Sequence, residues 1–165
     1  MKFISIIIGS KSDYEVMKEC EVTLEKFGVP YELIISSAHR SPERTKKYIE
    51  QAEKKGSQVF IAAAGMAAHL AGALAGATTK PVIGVPMASG ELRGEDALLS
   101  TVMMPAGMPV ATVAIGNAGA INSAYLAIQI LALNDDELRI KLQEDRISKS
   151  KKVELDSSEI EVILQ

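Results

Sequence analysis

Four short segments of this sequence combine residue types that can bind a ligand and transfer protons. They read GSKSD (Gly9 to Asp13), SSAHR (Ser36 to Arg40), AGMAAH (Ala64 to His69) and MASGELRG (Met87 to Gly94). Both histidines of the chain, His39 and His69, lie in these segments. An imidazole with an unperturbed pKa of about 6.5 can both donate and accept a proton near neutral pH. His39 is therefore a candidate general acid and base, and an exposed loop histidine without a function is the alternative.

The first two segments carry residue types that bind a ribose phosphate. Gly9 permits a tight turn, and Ser10 and Ser12 offer hydroxyl groups. The helix expected to begin near Asp13 presents backbone N–H groups to an anion, and Arg40 can supply a forked positive partner. Asp13 can accept hydrogen bonds from ribose hydroxyls. The structural alternative is that Ser12 only caps the helix while Asp13 favours its N-terminal dipole.

The composition argues against several classes of protein. The 18 basic and 21 acidic residues leave a net charge of −3, which gives no field strong enough to favour nucleic acid or an anionic membrane. Two histidines and the single cysteine are too few for the usual zinc cluster, so we interpret His69 as a packing or supporting group. Cys20 has no partner for an internal disulfide, and the N-terminal apolar run is too short for a signal peptide. We therefore expect a cytoplasmic protein.

Common catalytic and membrane motifs are also missing from the sequence. There is no G-x-x-x-x-G-K-[ST], no G-x-G-x-x-G after the first strand and no nucleophile elbow. The sequence therefore lacks the usual motifs of nucleoside triphosphatases, dinucleotide-dependent oxidoreductases and serine hydrolases. The long apolar stretch from Val59 to Thr79 is mostly alanine and glycine, so a strand, a glycine turn and a buried helix explain it better than a membrane span.

The elements that must position the four segments alternate between two periodicities. Short apolar runs predict strands over Phe3 to Ile8, Tyr31 to Ser36, Val59 to Ala63, Val82 to Val85 and Val110 to Ile115. Helical spacing and end signals predict a first helix from a Ser12/Glu15 capping box to Gly28 and a second from Ser41 and Pro42 to Gly56. Four further helices are predicted over Ala67 to Ala75, Asp96 to Met103, Ala118 to Leu133 and Asp135 to Ser148. The helix from Ala118 to Leu133 is apolar on nearly every face, so we expect it to be buried all round, at a subunit interface.

This alternation predicts an α/β fold with a central parallel sheet and helices on both faces. A chain of 165 residues is expected to form one domain, residues 1–165, in which residues 135–165 are a C-terminal helix and tail. In such sheets ligands bind beyond the carboxyl ends of the strands, where the strand order reverses. The four segments follow the first four strands, so we expect the chemistry there.

The same segments carry a resemblance to a known family. GSKSD, SAHRSP, AAHLAG and GVPMASGELRGEDALLSTVMMPAGMPVATVAIGNAGAINSAYLA occur in the order seen in the purine-biosynthetic N5-carboxyaminoimidazole ribonucleotide mutases, class I of the PurE family. The resemblance covers about residues 3–133. It implies a flavodoxin-like three-layer sandwich, a homo-octamer, and activity without metal or organic cofactor.

The resemblance also implies roles for individual residues. Phosphate and ribose contacts fall on Ser10, Asp13 and Arg40, and the general acid and base is His39. The carbon dioxide pocket lies near Ser37, Ala64, Gly65 and His69. The chain departs from the family pattern at three positions, where Met66 replaces a glycine, Ala71 a proline and Met103 a glutamine.

The implied activity is that of an isomerase acting in IMP biosynthesis. It moves the carboxylate of N5-carboxyaminoimidazole ribonucleotide from N5 to ring carbon C4, without ATP. Two alternatives stay open, which are direct carboxylation of aminoimidazole ribonucleotide by free CO2 and nucleotide binding without catalysis. Members that use free CO2 resemble one another in a lysine after the second-motif histidine, where this chain has Arg40, and in a serine-asparagine pair in the third motif. Functional coupling to the ATP-dependent synthetase that makes the substrate is a further expectation.

Overall fold

A computed structural model describes residues 1–164, whose strands form one five-stranded sheet. The strands are β1 (Phe3–Ile8), β2 (Tyr31–Ile35), β3 (Ser57–Gly65), β4 (Val82–Met87) and β5 (Ala111–Thr112). All neighbouring strands are parallel, in the order β2-β1-β3-β4-β5. The strand order therefore reverses between β1 and β3, and the predicted parallel sheet is confirmed.

Helices connect the strands. A 3-10 turn (Lys11–Asp13) is followed by α1 (Tyr14–Phe27), α2 (Pro42–Lys55), α3 (Leu70–Ala75), α4 (Glu95–Val102), α5 (Asn117–Ala132) and α6 (Asp136–Ile160). Every residue of β1 is buried, as the isoleucine-rich run predicts for a central strand covered on both faces. α1 and α2 end where predicted, at Gly28 (φ 71°) and Gly56 (φ 112°), because glycine adopts the left-handed conformation without a steric penalty.

Several elements differ from the sequence-based prediction. α3 starts at Leu70 instead of Ala67, and β4 continues two residues beyond Val85. The Ser12/Glu15 capping box is wrong, because Ser10 caps the 3-10 turn and α1 starts at Tyr14 without a side-chain cap. β5 is only two residues long, and β3 extends by two residues at each end. α6 runs beyond the predicted Ser148 to Ile160, since no glycine or proline interrupts it and ion pairs four residues apart support it, as between Lys152 and Asp156.

The chain forms two compact units, and the first spans Met1–Ile128 and contains the whole sheet. The second unit starts at Gln129 and contains the last turn of α5 and all of α6. The single domain over residues 1–165 stays a prediction. None of the helices within residues 1–164 combines the length and apolar character that crossing a bilayer requires.

α5 is less buried in this chain than its sequence predicts. One face is buried, and it consists of Gly119, Ala120, Ser123, Ala124, Ala127 and Ile128. Ile121 and Leu126 are only half-buried. α5 therefore keeps apolar surface that a second subunit could cover, and its burial on every face at a subunit interface stays a prediction.

The same face of α5 helps to enclose the only cysteine of the chain. Cys20 of α1 is fully buried, and the Ser123 hydroxyl contacts its Sγ at 3.6 Å. Burial raises the pKa of the Cys20 thiol to about 12, because a thiolate loses its hydration there.

Gly84 of β4 lies where α3 and α4 pack closely against the sheet. A Cβ atom at this position would collide with the Thr101 methyl group of α4 and would lie 3.0 Å from Val110 Cγ1 and 3.3 Å from Ala71 Cβ. We expect Gly84→Ala to lower the free energy of unfolding by about 1–3 kcal/mol, because the added methyl overpacks the core. Chemical denaturation monitored by circular dichroism measures the change.

Gly76, at the end of α3, provides the matched control. Its φ is −73°, and a Cβ there would meet its nearest neighbours at 3.7 Å, an ordinary van der Waals distance. Gly76→Ala should leave stability unchanged or raise it by up to about 1 kcal/mol, since alanine restricts the unfolded chain. Equal stability of both variants would contradict the tight packing inferred at Gly84.

Candidate functional site

The carboxyl ends of β1 to β4 lead into four loops at one edge of the sheet. We number them loop 1 (residues 9–13), loop 2 (36–40), loop 3 (64–69) and loop 4 (87–94), and they are the four segments singled out in the sequence. Their starting points are level, because Ile8 pairs with both Ile35 and Ala63 in the sheet. The site residues predicted from the sequence therefore lie on loops that start side by side.

Loop 1 forms a tight turn that displays two hydroxyl groups. The Ser12 backbone N–H donates to Ser10 Oγ at 3.3 Å, and the two serine hydroxyls share a hydrogen bond of 2.9 Å. The Asp13 N–H donates to the Ser10 carbonyl at 3.1 Å. Ser12 is exposed and Ser10 is half-buried, so both hydroxyls can reach a ligand above the turn.

Asp13 is the last residue of loop 1 and is buried. Burial raises the pKa of this carboxyl, while hydrogen bonds from the Ser10 backbone and the Ser12 side chain act in the opposite direction. A Cβ atom on Gly9 would lie 3.8 Å from Asp13 Oδ2. The carboxyl group therefore lies close to Gly9 in loop 1, and we expect it to accept hydrogen bonds from hydroxyl groups of a bound sugar.

Loop 2 is fixed by a set of hydrogen bonds around two serines. The Ser36 N–H donates to the Ile8 carbonyl at 2.9 Å, which continues the ladder between β1 and β2, and its buried hydroxyl bonds Thr45 Oγ1 at 2.8 Å. The Ser37 N–H donates to Ser41 Oγ at 3.0 Å, and Ser37 Oγ accepts the Arg40 N–H at 3.1 Å. These contacts hold a turn that leaves the side chains of His39 and Arg40 exposed.

Arg40 reaches from loop 2 to loop 1. One guanidinium nitrogen donates to the Gly9 carbonyl at 3.3 Å. The positive group is thus brought to the backbone of loop 1, at the residue that precedes Ser10. Guanidinium, hydroxyls and a helix start in one place are the groups that bind a phosphate, so the structure brings the predicted set together.

His39 and His69 are in direct contact, although 30 residues separate them in the sequence. His39 Nε2 and His69 Nδ1 are 2.5 Å apart, and the rings meet edge to face with centroids 4.7 Å apart. A hydrogen bond between two imidazole nitrogens needs one N–H and one lone pair, so a single proton lies between the rings. The pair can pass a proton between loops 2 and 3, a property that neither histidine has alone.

Loop 3 begins with the two last residues of β3, which are small. Ala64 and Gly65 are half-buried, and the Gly9 N–H donates to the neighbouring Ala63 carbonyl at 2.9 Å. Loop 1 thus rests directly on the end of β3. Met66 then turns the chain with a φ of 55°, and His69 stands at the start of α3.

Ser89 of loop 4 is a site residue that sequence reasoning missed. A Cβ atom on Gly65 would collide with Ser89 Oγ and would lie 3.4 Å from Met87 Cβ. Ser89 therefore brings a hydroxyl against the end of β3. The position of Ser89 two residues after β4 could have indicated this role. β4 pairs with β3, and Gly65 lies opposite Met87.

These observations set the chemical limits of the site. Within residues 1–164, no cluster of three or more histidine, cysteine, aspartate or glutamate side chains could hold a metal ion. The described groups can bind an anion, accept hydrogen bonds from a sugar and transfer a proton. Since His39, Arg40, Met66 and His69 are all exposed, the site of a single chain is open to solvent.

Comparisons with known proteins agree over nearly the whole chain. The profile of the family described as AIR carboxylase matches residues 3–152. N5-carboxyaminoimidazole ribonucleotide mutase of Pyrococcus horikoshii is 51% identical over 158 residues, which are 96% of this chain and 88% of that protein. The protein of the same name from Bacillus subtilis is 50% identical over 156 residues, which are 94% of this chain and 96% of that protein.

A solved structure shows the same likeness. The chain superposes on Treponema denticola PurE with a TM-score of 0.88 and 27% sequence identity, covering 98% of this chain and all of that one (100%). The predicted flavodoxin-like α/β fold is thereby confirmed.

The position of Arg40 leads to a binding prediction. We expect Arg40→Ala to weaken the binding of ribose 5-phosphate by about 1.5–3 kcal/mol, because a charge-assisted hydrogen bond to the phosphate is lost. Titration calorimetry measures the affinity. Arg44 is the matched control, since it is an exposed arginine whose Nε donates to the Ile35 carbonyl at 3.2 Å. Arg44→Ala should bind like the parent, and unchanged affinity in Arg40→Ala would exclude Arg40 from the site.

Proposed function

Because the chain belongs to the AIR carboxylase family, we propose that it is an N5-carboxyaminoimidazole ribonucleotide mutase, an isomerase of purine biosynthesis. The two relatives described above carry that name at 50% and 51% identity. The observation that supports the proposal is the contact of His39 with His69, which puts an imidazole pair next to Arg40, the arginine that reaches from loop 2 to loop 1. A proton donor and acceptor in this place fits a reaction that moves one carboxylate and one proton.

Loops 1 and 2 bind the ribose phosphate of the substrate. Arg40 contacts the phosphate together with the hydroxyls of Ser10 and Ser12, and Asp13 accepts hydrogen bonds from the ribose hydroxyls. Binding at these groups orients the aminoimidazole ring toward His39 and the end of β3. Fixing the ring in this way lowers the entropic cost of the later attack on carbon dioxide.

The first step breaks the bond between N5 and the carboxylate carbon. The electron pair of that bond stays on N5, His39 in its protonated form gives N5 a proton, and carbon dioxide is released. Ala64 and Gly65 leave room for carbon dioxide beside Ser37 and His69. The products of this step are aminoimidazole ribonucleotide and carbon dioxide, both still bound.

The second step forms the bond between C4 and carbon dioxide. C4 is the nucleophilic carbon of an enamine, so it attacks the carbon of CO2 and still carries its hydrogen afterwards. His39, now neutral, removes that proton and the ring recovers its aromatic character. The proton given to N5 is thereby replaced, so the cycle needs no cofactor, ATP or net proton.

His69 supports His39 in both steps. Its Nδ1 lies 2.5 Å from His39 Nε2, so the contact fixes the orientation of the His39 ring and shares one proton with it. The two nitrogens outside this contact, Nδ1 of His39 and Nε2 of His69, can face the substrate. A positioned imidazole contributes about 10²–10⁴-fold to the rate of a proton-transfer step.

Two alternatives are less well supported. Direct carboxylation of aminoimidazole ribonucleotide by free CO2 would use the same residues, but Arg40 and the AAHLAG motif favour the mutase branch. A nucleotide-binding protein without catalysis would not require an imidazole pair beside the phosphate groups. The names of the relatives also favour the mutase.

We further propose a homo-oligomer, of eight subunits as the resemblance implies. The half-buried apolar side chains of α5 support it, as does an exposed stripe on α4 and its C-cap residue. The stripe consists of Leu99 (54% exposed), Val102 (45%) and Met103 (78%), which lie one helical turn apart or less.

A cytoplasmic location and functional coupling to the ATP-dependent synthetase also fit a purine-biosynthetic enzyme that receives an unstable carbamate.

The reaction itself can be tested by supplying each substrate separately without ATP. We expect efficient conversion of N5-carboxyaminoimidazole ribonucleotide and little product from aminoimidazole ribonucleotide at ordinary bicarbonate levels, because the mutase substrate brings its own CO2 into the site. Product absorbance gives kcat/KM for each substrate. Comparable efficiency with free CO2 would overturn the mutase assignment in favour of the carboxylase, and binding without turnover would favour the non-catalytic alternative.

His39→Asn tests the role of the imidazole. The side chain is exposed, so the variant should fold and bind ribose 5-phosphate like the parent. We expect kcat to fall by about 10²–10⁴-fold, because asparagine cannot transfer the proton. Steady-state kinetics and circular dichroism measure activity and fold. A variant with near-normal kcat would show that His39 is not the general acid and base.

A further inference from the structure

Met66 in loop 3 adopts a backbone conformation that L side chains disfavour. Its φ is 55°, in the left-handed region where glycine is the usual residue. The resemblance places a glycine at this position in related proteins. A methionine here therefore keeps a side chain at a conformational cost, which suggests that the side chain itself contributes something to the site.

The Met66 side chain lies across the backbone of loop 4. A Cβ atom on Gly90 would be 3.5 Å from Met66 Cγ and 3.9 Å from its Sδ and Cε. Gly90 itself has a φ of 71°, and Met66 is 60% exposed. The thioether arm thus lies on the surface of the molecule and covers Gly90 instead of entering the core.

A neighbouring contact also joins loops 3 and 4. Gly65 contacts Ser89, and the next residue of each loop makes the next contact, Met66 with Gly90. Residues 90–93 of loop 4 are exposed, and the Arg93 N–H donates to the Gly90 carbonyl at 3.3 Å to close their turn. Met66 therefore anchors the base of this turn directly beside the small residues that end β3.

We infer that Met66 is a positioning residue that holds loop 4 against the end of β3 and so slows the escape of carbon dioxide during the reaction. The inference rests on the proposed function. After the bond to N5 breaks, CO2 either reacts with C4 or leaves the site. Holding loop 4 in place changes the second of these rates, whereas the proton transfers by His39 and the binding of the ribose phosphate do not involve Met66.

The experiment follows the origin of the carboxylate in the product. N5-carboxyaminoimidazole ribonucleotide with ordinary carbon is converted in buffer that contains ¹³C-bicarbonate and carbonic anhydrase, and mass spectrometry gives the labelled fraction of the product. Reactions without enzyme correct for spontaneous loss of CO2 from the substrate. A purely structural role of Met66 would change stability or kcat but would leave the labelled fraction unchanged.

Three variants separate the side chain from the backbone strain. Met66→Ala removes the arm and keeps a Cβ, Met66→Gly removes both the arm and the strain, and Met66→Leu keeps an apolar arm. We expect the labelled fraction to rise about fivefold in the alanine and glycine variants. This corresponds to a change of about 1 kcal/mol in the free energy that separates CO2 escape from reaction with C4. The labelled fraction should stay near the parent value in the leucine variant. KM should be unchanged in all three, and thermal unfolding checks that each is folded.

The possible results distinguish this inference from the proposed function. A parent that converts the carbamate while Met66→Ala shows the parent's labelled fraction would overturn the inference and leave the function intact. A labelled fraction in Met66→Leu as high as in Met66→Ala would also overturn it, because an apolar arm would then have no effect. A parent that forms no product from the carbamate would overturn the proposed function and this inference together.

Discussion

Backbone hydrogen bonds that hold the carboxyl ends of β1, β2 and β3 level are the constraint on which the candidate site depends. Two of them extend beyond the strands, from the Ser36 N–H to the Ile8 carbonyl and from the Gly9 N–H to the Ala63 carbonyl, both at 2.9 Å. Because the strands are parallel, the chain leaves all three in the same direction. Loops 1, 2 and 3 are thereby placed within one side-chain length of each other before any of their own side chains interact.

Side chains then join the loops in pairs. Arg40 joins loop 2 to loop 1, the two histidines join loop 2 to loop 3, and Met66 joins loop 3 to loop 4. Arg40 and the two histidines are also the groups proposed to act on the substrate, whereas Met66 only positions loop 4. A substitution in one loop is therefore expected to affect its neighbour as well.

The sequence predicted which loops lie at the carboxyl edge of the sheet, but it did not predict the contacts between the side chains of those loops. β1 and the glycine ends of α1 and α2 were predicted because local signals determine them, namely a buried isoleucine run and left-handed glycines. The placement of all candidate residues on the loops after the first four strands followed from the alternation of strands and helices. The contact between His39 and His69 could not be predicted, because it depends on how two loops 30 residues apart are turned.

Local signals also failed where several hydroxyl groups compete. Ser12 and Glu15 have the spacing of a capping box, yet Ser10 accepts the hydrogen bond at the start of the turn. Ser89 was not predicted as a site residue, because a single serine in a polar loop does not form a recognisable sequence motif. Its position opposite Gly65 becomes meaningful only once β3 and β4 are known to be neighbours.

The buried state of Cys20 has a practical consequence for studying loop motion. A thiol with a pKa of about 12, enclosed between α1 and α5, presents almost no thiolate to water at neutral pH. Maleimide or iodoacetamide reagents should therefore leave the natural chain unmodified. A cysteine introduced at an exposed position of loop 4, such as Glu91, would then be the single reactive thiol per subunit. Fluorescent or spin labels could report the movement of that loop without first removing the native cysteine.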